Sequence, residues 1–198
     1  MHGSEMCNQC ELLLRLFSKL IMRKLTMEEL NRKSVQEFRQ SNKIPAIAVL
    51  ENVRSAYNVG SVFRTADAFL LEGIYICGYT ARPPHKEIRK TALGAEETVE
   101  WKYFANATLA IENLKQEGFR VFAAEQTLNS SPLHAFEKKK AEKIAVVFGN
   151  EVTGVEQSTI ELCDGTIEIP QLGMKHSLNI SVAAGIVLWE LVKKHVDI

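Results

Sequence analysis

A chain of 198 residues that is 46% hydrophobic has the size of one domain with room for an appendage, and enough apolar mass for a buried core. Its 24 Lys and Arg are balanced by 24 Asp and Glu, which excludes a chain-wide field steering it to nucleic acid or a membrane; any basic site has to be local. Four cysteines, Cys7, Cys10, Cys77 and Cys163, are too few for a disulfide framework and point to a reducing, cytoplasmic setting. Cys7 and Cys10 have C-x-x-C spacing, but no second pair of ligands follows, so no metal is expected.

The run from Leu12 to Ile21 is too short to cross a bilayer and is interrupted by Arg15 and Lys19, and acidic Glu5 and Glu11 stand where a secretory leader would be basic. It reads as an amphipathic helix packed on the domain or on a second subunit, or as an upstream extension with Met22 as the start. Residues 1–43 as a whole form a helical N-terminal extension, with Leu25, Leu30, Val35 and Phe38 as apolar points among basic side chains. Thr26-Met-Glu-Glu29 has the form of a capping box and is expected to start a helix. Eight Lys/Arg against five Asp/Glu make the region mildly basic, which suits RNA contact and, more commonly, a solvated face.

The second region is residues 44–198. Ala46–Leu50 is a continuous apolar run, the mark of a strand buried on both faces. A polar loop, Glu51–Gly60, leads to a helix from about Ser61 to Leu71, stopped by Glu72-Gly73. Strand Ile74–Cys77 follows, then a long irregular segment, 79–97, holding Pro83-Pro84 and the cluster Arg82, His85, Lys86, Arg89 and Lys90. Further on come a helix over 105–117, strand Arg120–Ala124, strand Ile144–Phe148, a helix over about 155–163 and strand Thr166–Ile169. The closing helix has Ser177 placed as N-cap, with Val182, Ile186, Trp189 and Val192 at helical spacing. Strands alternating with helices predict an α/β fold with a mostly parallel sheet and helices on both faces.

Three loops that follow strands concentrate polar groups. In Asn58-Val-Gly-Ser-Val-Phe-Arg64, an arginine among apolar neighbours is costly without an anionic partner, and a structural salt bridge is the commoner outcome. In Phe148-Gly-Asn-Glu-Val-Thr-Gly154, Gly149 allows close approach to a flat ligand and Glu151 projects at the carboxyl end of the sheet; a tight turn with a solvated Glu is the plain alternative. In the third, Lys175, His176, Ser177 and Asn179 gather at the mouth of a helix, where free N–H groups favour a ligand. No G-x-G-x-x-G, P-loop, H-E-x-x-H or G-x-S-x-G pattern occurs, so the chemistry needs neither a metal nor a covalent nucleophile.

The stretches Glu51–Ala68, Val147–Val155 and Ile169–Ala184, in this order, resemble the three motifs of the SpoU (TrmH-like) branch of the SPOUT RNA methyltransferases. The resemblance implies S-adenosylmethionine-dependent methylation of a ribose 2′-hydroxyl in RNA, with a tRNA loop ribose as the first expectation and rRNA as the second. It implies a C-terminal trefoil knot, against the general rule, and a homodimer with its site near the subunit interface. Arg64 falls at the position the family places at the 2′-hydroxyl; because a guanidinium stays protonated, it is expected to grip a phosphate and stabilise the developing alkoxide. Asn58, Glu151, Ser177 and Asn179 match polar active-site positions. Gly149, Ile169 and Leu178 match backbone contacts to the cofactor, Leu172 and Met174 its walls, and Ala124 a further contact. Arg82, Lys86, Arg89 and Lys90 are expected to meet the RNA backbone, a solvated loop carrying equal weight. Residues 1–43 are short for the separate RNA-binding domain of many relatives. Two rivals remain: a knotted RNA-binding or assembly factor without turnover, and an ordinary doubly wound nucleotide-binding enzyme, whose phosphate loop is missing.

Overall fold

The computed structural model describes residues 22–137 and 142–195; the expected amphipathic helix over 12–21 and the Cys7–Cys10 pair lie outside them. The chain divides into two compact units between Glu37 and Phe38. In the first, Thr26 N–H donates to Glu29 Oε2 at 2.8 Å and Glu29 N–H to Thr26 Oγ1 at 3.3 Å, completing the capping box. The box closes a single turn instead of the expected helix, because Asn31 enters the left-handed region at φ 42°. Ser34 and Glu37 repeat the device at the head of α1 (Val35–Gln40).

In the second unit seven strands form one sheet: β1 (Ile44–Glu51), β2 (Leu71–Cys77), β3 (Trp101–Phe104), β4 (Arg120–Ala124), β5 (Ser131–Pro132), β6 (Ile144–Phe148) and β7 (Gly165–Glu168). Their order is β3-β2-β1-β6-β4-β7-β5, and every pair is parallel. Alternate side chains separate into two cores. Ala46, Ala48, Leu50, Ile76, Val146 and Phe148 face α2 (Ala56–Ala68), α3 (Lys86–Ala92) and α6 (Ile180–Val192). Ile47, Val49, Cys77, Val121, Ala145 and Val147 face α4 (Ala107–Gln116). Burial on both faces is why the strands read as unbroken apolar runs.

Several boundaries differ from the sequence expectation. α2 starts five residues early, because Ser55, in an extended conformation, caps it by accepting from Asn58 N–H at 3.4 Å. It stops at Ala68, Leu70 has φ 54°, and Glu72 and Gly73 lie inside β2. Segment 79–97 is not wholly irregular. It holds α3, whose Ile88 is buried against α2 at Gly60; a Cβ there would lie 2.4 Å from the Ile88 carbonyl oxygen, so the two helix backbones touch. The helix expected over 155–163 shrinks to α5 (Gln157–Ile160). The edge strands β3 and β5 were not expected from the sequence.

Candidate active site

Parallel strands send the loops after β1, β4, β6 and β7 from one edge of the sheet. The loop after β6 closes on itself. Asn150 and Gly154 exchange backbone hydrogen bonds at 3.0 and 2.9 Å, and Asn150 Oδ1 accepts from the N–H groups of Val152 and Thr153. A Cβ on Gly149 would lie 2.2 Å from Val155 N, so the loop's own closure demands glycine there.

This loop presents Glu151 to the head of α2. Glu151 accepts from Arg54 N–H at 2.9 Å, Ser55 N–H at 3.0 Å and Asn58 Nδ2 at 2.9 Å. Burial pushes its carboxyl up, but the Arg54 and Asn58 donors and the other backbone N–H groups outweigh it and hold the pKa below the ordinary value. The group is therefore a carboxylate at neutral pH. Asn58 Oδ1 in turn accepts from Asn179 Nδ2 at 3.2 Å, and Asn179 Oδ1 accepts from Ser181 N–H at 2.8 Å. A single polar line thus joins the three loops: Glu151, Asn58, Asn179. Asn179, not Ser177, is the N-cap of α6, which begins at Ile180.

Beside this line lies a cavity of about 390 Å³. Ala124, Gly149, Glu151, Ile169, Ser177 and Leu178 all line it. Leu172 and Met174 do not; their side chains are exposed. His176 of the third polar loop lines it too, and Glu125 and Gln126 line it without having been expected. Glu125 Oε2 accepts from Val155 N–H at 3.0 Å, and Gln126 Nε2 donates to the His176 carbonyl at 2.9 Å, fastening the β4 and β7 loops together. Their only sequence signal is that they directly follow an apolar strand. Glu51, at the head of the stretch expected as a loop, instead ends β1 and is buried. Burial raises its pKa against the Thr159 hydroxyl and the Glu156 N–H, which both donate to it.

Arg64 is not part of this cavity. It is exposed and has no ion pair among the described residues, so the structural salt bridge does not form. It lines a separate hollow of about 470 Å³ with Ser61 and Phe69 of its own segment and Lys90 and Thr91 of α3. Lys90 Nζ lies 3.5 Å from Tyr57 Oη. Lys86, Arg89 and Lys90 line a further hollow of about 770 Å³ with Pro83, His85 and Trp101. Arg82 stands apart from them, its guanidinium carbon 4.0 Å from the Tyr103 ring centroid.

α6 carries apolar side chains nearly all round. Ile180, Ala184, Val187, Leu188, Leu191 and Val192 are buried. The stripe at helical spacing is the outer one: Val182, Ile186 and Trp189 are exposed, and only Val192 of that set is inside. Trp189 rests on Phe69, ring centroids 5.7 Å apart. Among the described residues no helix is long and apolar enough to cross a membrane.

The SpoU rRNA Methylase family model matches residues 45–189. A 23S rRNA (guanosine-2′-O-)-methyltransferase, RlmB, from Vibrio vulnificus is 29% identical over 175 residues, 88% of this chain and 70% of that protein. The crystal structure of a TrmH/SpoU tRNA modifying enzyme from A. aeolicus is similar with a TM-score of 0.72 at 27% identity, covering 81% of this chain and 80% of that one. An AdoMet-bound rRNA methyltransferase from Sinorhizobium meliloti gives 0.70 at 25% identity, over 84% of this chain and 62% of that one. All three polar loops lie inside the matched span, and the chain belongs to the SpoU rRNA methylase family.

Proposed function

We propose that this protein transfers the methyl group of S-adenosylmethionine to a ribose 2′-hydroxyl of structured RNA. The observation that carries the reading is the polar line Glu151–Asn58–Asn179, which ties three sequence-distant loops together at the wall of one cavity. The cavity, about 390 Å³, falls within the roughly 300–1,000 Å³ of small-molecule sites. Ala124, Ile169 and Leu178 offer apolar walls to a flat base, and Glu125 and Ser177 offer polar partners for a ribose and an amino-acid group.

When bound, the cofactor supplies a methyl group already activated by its sulfonium. The chain has to hold the 2′-oxygen in line and stabilise it as it loses its proton. A C–O bond forms as the C–S bond breaks, and the proton leaves to a neighbouring phosphate or to water. Arg64 holds that phosphate together with Lys90 from the same hollow and offsets the charge growing on the oxygen. Glu151 and Asn58 hold the head of α2, and Ser177 and Asn179 orient the loop before α6.

The catalytic domain runs over residues 44–198 with 1–43 as an extension, and the enzyme works in the cytoplasm. It acts as a homodimer joined through Val182, Ile186 and Trp189, an apolar stripe that one chain leaves uncovered. Phe69 connects that stripe to the Arg64 hollow. Arg64 then faces the partner's cavity, which accounts for its absence from its own. β7 lies between β4 and β5, two strands that precede it, an order that supports threading of the C-terminal segment as a trefoil knot.

Incubation with S-adenosylmethionine and total RNA from cells lacking the protein, read by nucleoside mass spectrometry and site mapping, is expected to yield one 2′-O-methylated nucleoside. Absence of cofactor binding by calorimetry, with and without RNA, would sink the reading. RNA binding without transfer would favour a non-catalytic factor.

Lys86, Arg89 and Lys90, with Arg82, meet the RNA backbone. Replacing Arg89 and Lys90 together with Ala is expected to weaken RNA binding and flatten its log–log salt dependence by about one to two units. Unchanged affinity and slope in filter binding would remove this face from the interface.

A further inference from the structure

Tyr79 inverts the usual arrangement of a surface tyrosine, which buries its ring and leaves the hydroxyl wet. The residue is 64% exposed, so its ring meets solvent. Its hydroxyl oxygen is bound inward, accepting from Asn150 Nδ2 at 2.8 Å. Asn150 is itself buried; the same Nδ2 donates to the Asn52 carbonyl at 2.9 Å, and its Oδ1 holds the N–H groups of Val152 and Thr153. Tyr79 therefore reaches from the end of β2, across the loop after β1, to the residue that shapes the Glu151 loop.

The turn that aims it is tightly determined. Gly78 has φ 65°, and a Cβ there would lie 2.0 Å from Asn52 Oδ1, which also accepts from Tyr79 N–H at 3.3 Å. On the other side of Gly78, Tyr103 Oη donates to the Gly78 carbonyl at 3.2 Å, and the Arg82 guanidinium lies over the Tyr103 ring. The segment after β2 thus carries an exposed aromatic ring tied through Asn150 to the cavity-lining loop, and an arginine held over the Tyr103 ring. Fixed aromatic and guanidinium planes are the surfaces on which unpaired nucleobases stack.

From this geometry we infer that Tyr79 receives a nucleobase of the substrate RNA next to the ribose being methylated, and that Asn150 couples that stacking to the Glu151 loop. The inference rests on the RNA methyltransferase reading above. Tyr79 is a substrate-binding and positioning residue; it touches no reacting atom. Its ring and its hydroxyl have separable jobs. The ring supplies RNA affinity. The hydroxyl keeps Asn150, and through it the loop, in the geometry that the polar line requires.

The test compares Tyr79→Leu and Tyr79→Phe with wild type on the RNA that the wild-type protein methylates, measuring KM and kcat for methyl transfer and cofactor affinity by calorimetry. Tyr79→Leu is expected to raise the KM for RNA about tenfold, the loss of one stacked base. Tyr79→Phe is expected to keep that KM and lower kcat several-fold, since the ring remains and Asn150 loses a partner. Cofactor affinity is expected to fall by the same modest factor in both, since each removes the hydroxyl that holds Asn150 at the cavity wall. A wild-type KM in Tyr79→Leu, with wild-type protein active, overturns this inference alone. Wild-type protein that transfers no methyl group to any RNA overturns the parent reading and this one with it. Equal effects of both variants on kcat and KM overturn the division of roles between ring and hydroxyl.

Discussion

Replacing Arg64 with Ala is expected to lower single-turnover methyl transfer by about 10²–10³-fold, the loss that follows removal of one preorganised donor to a developing oxyanion. Affinity for S-adenosylmethionine is expected to be unchanged, because Arg64 lines no part of its own chain's cavity and its proposed contact in the partner's site is to a phosphate of the RNA, not to the cofactor. The fold is also expected to be unaffected. Arg64 is exposed and carries no structural ion pair among the described residues, so its removal strands no buried charge. This split separates the proposed role from a packing role, which would lower thermal stability along with rate. A single-turnover rate near that of wild type contradicts the assignment. Arg64→Lys is a sharper probe: the charge survives, the planar two-point grip on phosphate does not, and an intermediate rate is expected.

Trp189→Glu is expected to convert the proposed dimer to single chains and abolish most methyl transfer, with cofactor binding reduced far less than turnover. The side chain is 43% exposed in the isolated chain and lies in an apolar stripe, so a glutamate costs little there until a second chain covers it. Covered and unpaired, a carboxylate costs about 3–5 kcal/mol, and a two-fold interface brings two of them. The dimer dissociation constant should rise by at least about 10²-fold. Analytical ultracentrifugation across a concentration series checks this. A wild-type protein that sediments as a single chain at every concentration and remains active would remove both the dimer and the idea that Arg64 serves its partner's cavity.

The parallel sheet was legible because burial on both faces writes itself as unbroken apolar runs: Ala46–Leu50 and Ile144–Phe148 needed nothing from elsewhere in the chain. β3 and β5 were not legible, since an edge strand of four residues and one of two carry no period of their own. The orientation of α6 was illegible for the opposite reason. With apolar residues nearly all round, its sequence cannot say which face meets the core, and the regularly spaced stripe proved to be the outer one. At the site, Asn58, Glu151 and Asn179 stood out as polar residues beside glycines and helix starts. Asn150 and Glu125 did not, because what makes them matter is the backbone they hold in loops far away in sequence. Tyr79 had no signal: an exposed ring held by its hydroxyl is visible only once Asn150 is beside it.

The polar line from Glu151 through Asn58 to Asn179 has a consequence for how the protein comes into being. Its members enter the chain in the order Asn58, Glu151, Asn179, and the last heads α6. During synthesis from the N-terminus, β1, β2, β4 and β6 can pair before the third member has been made. A ribosome-bound chain short of residue 179 can thus own most of its sheet and still lack one wall of its cavity and the anchor of Asn58. Methyl transfer is in this sense a property that arrives late and all at once, and a chain stalled partway has no half-working site with which to spend cofactor.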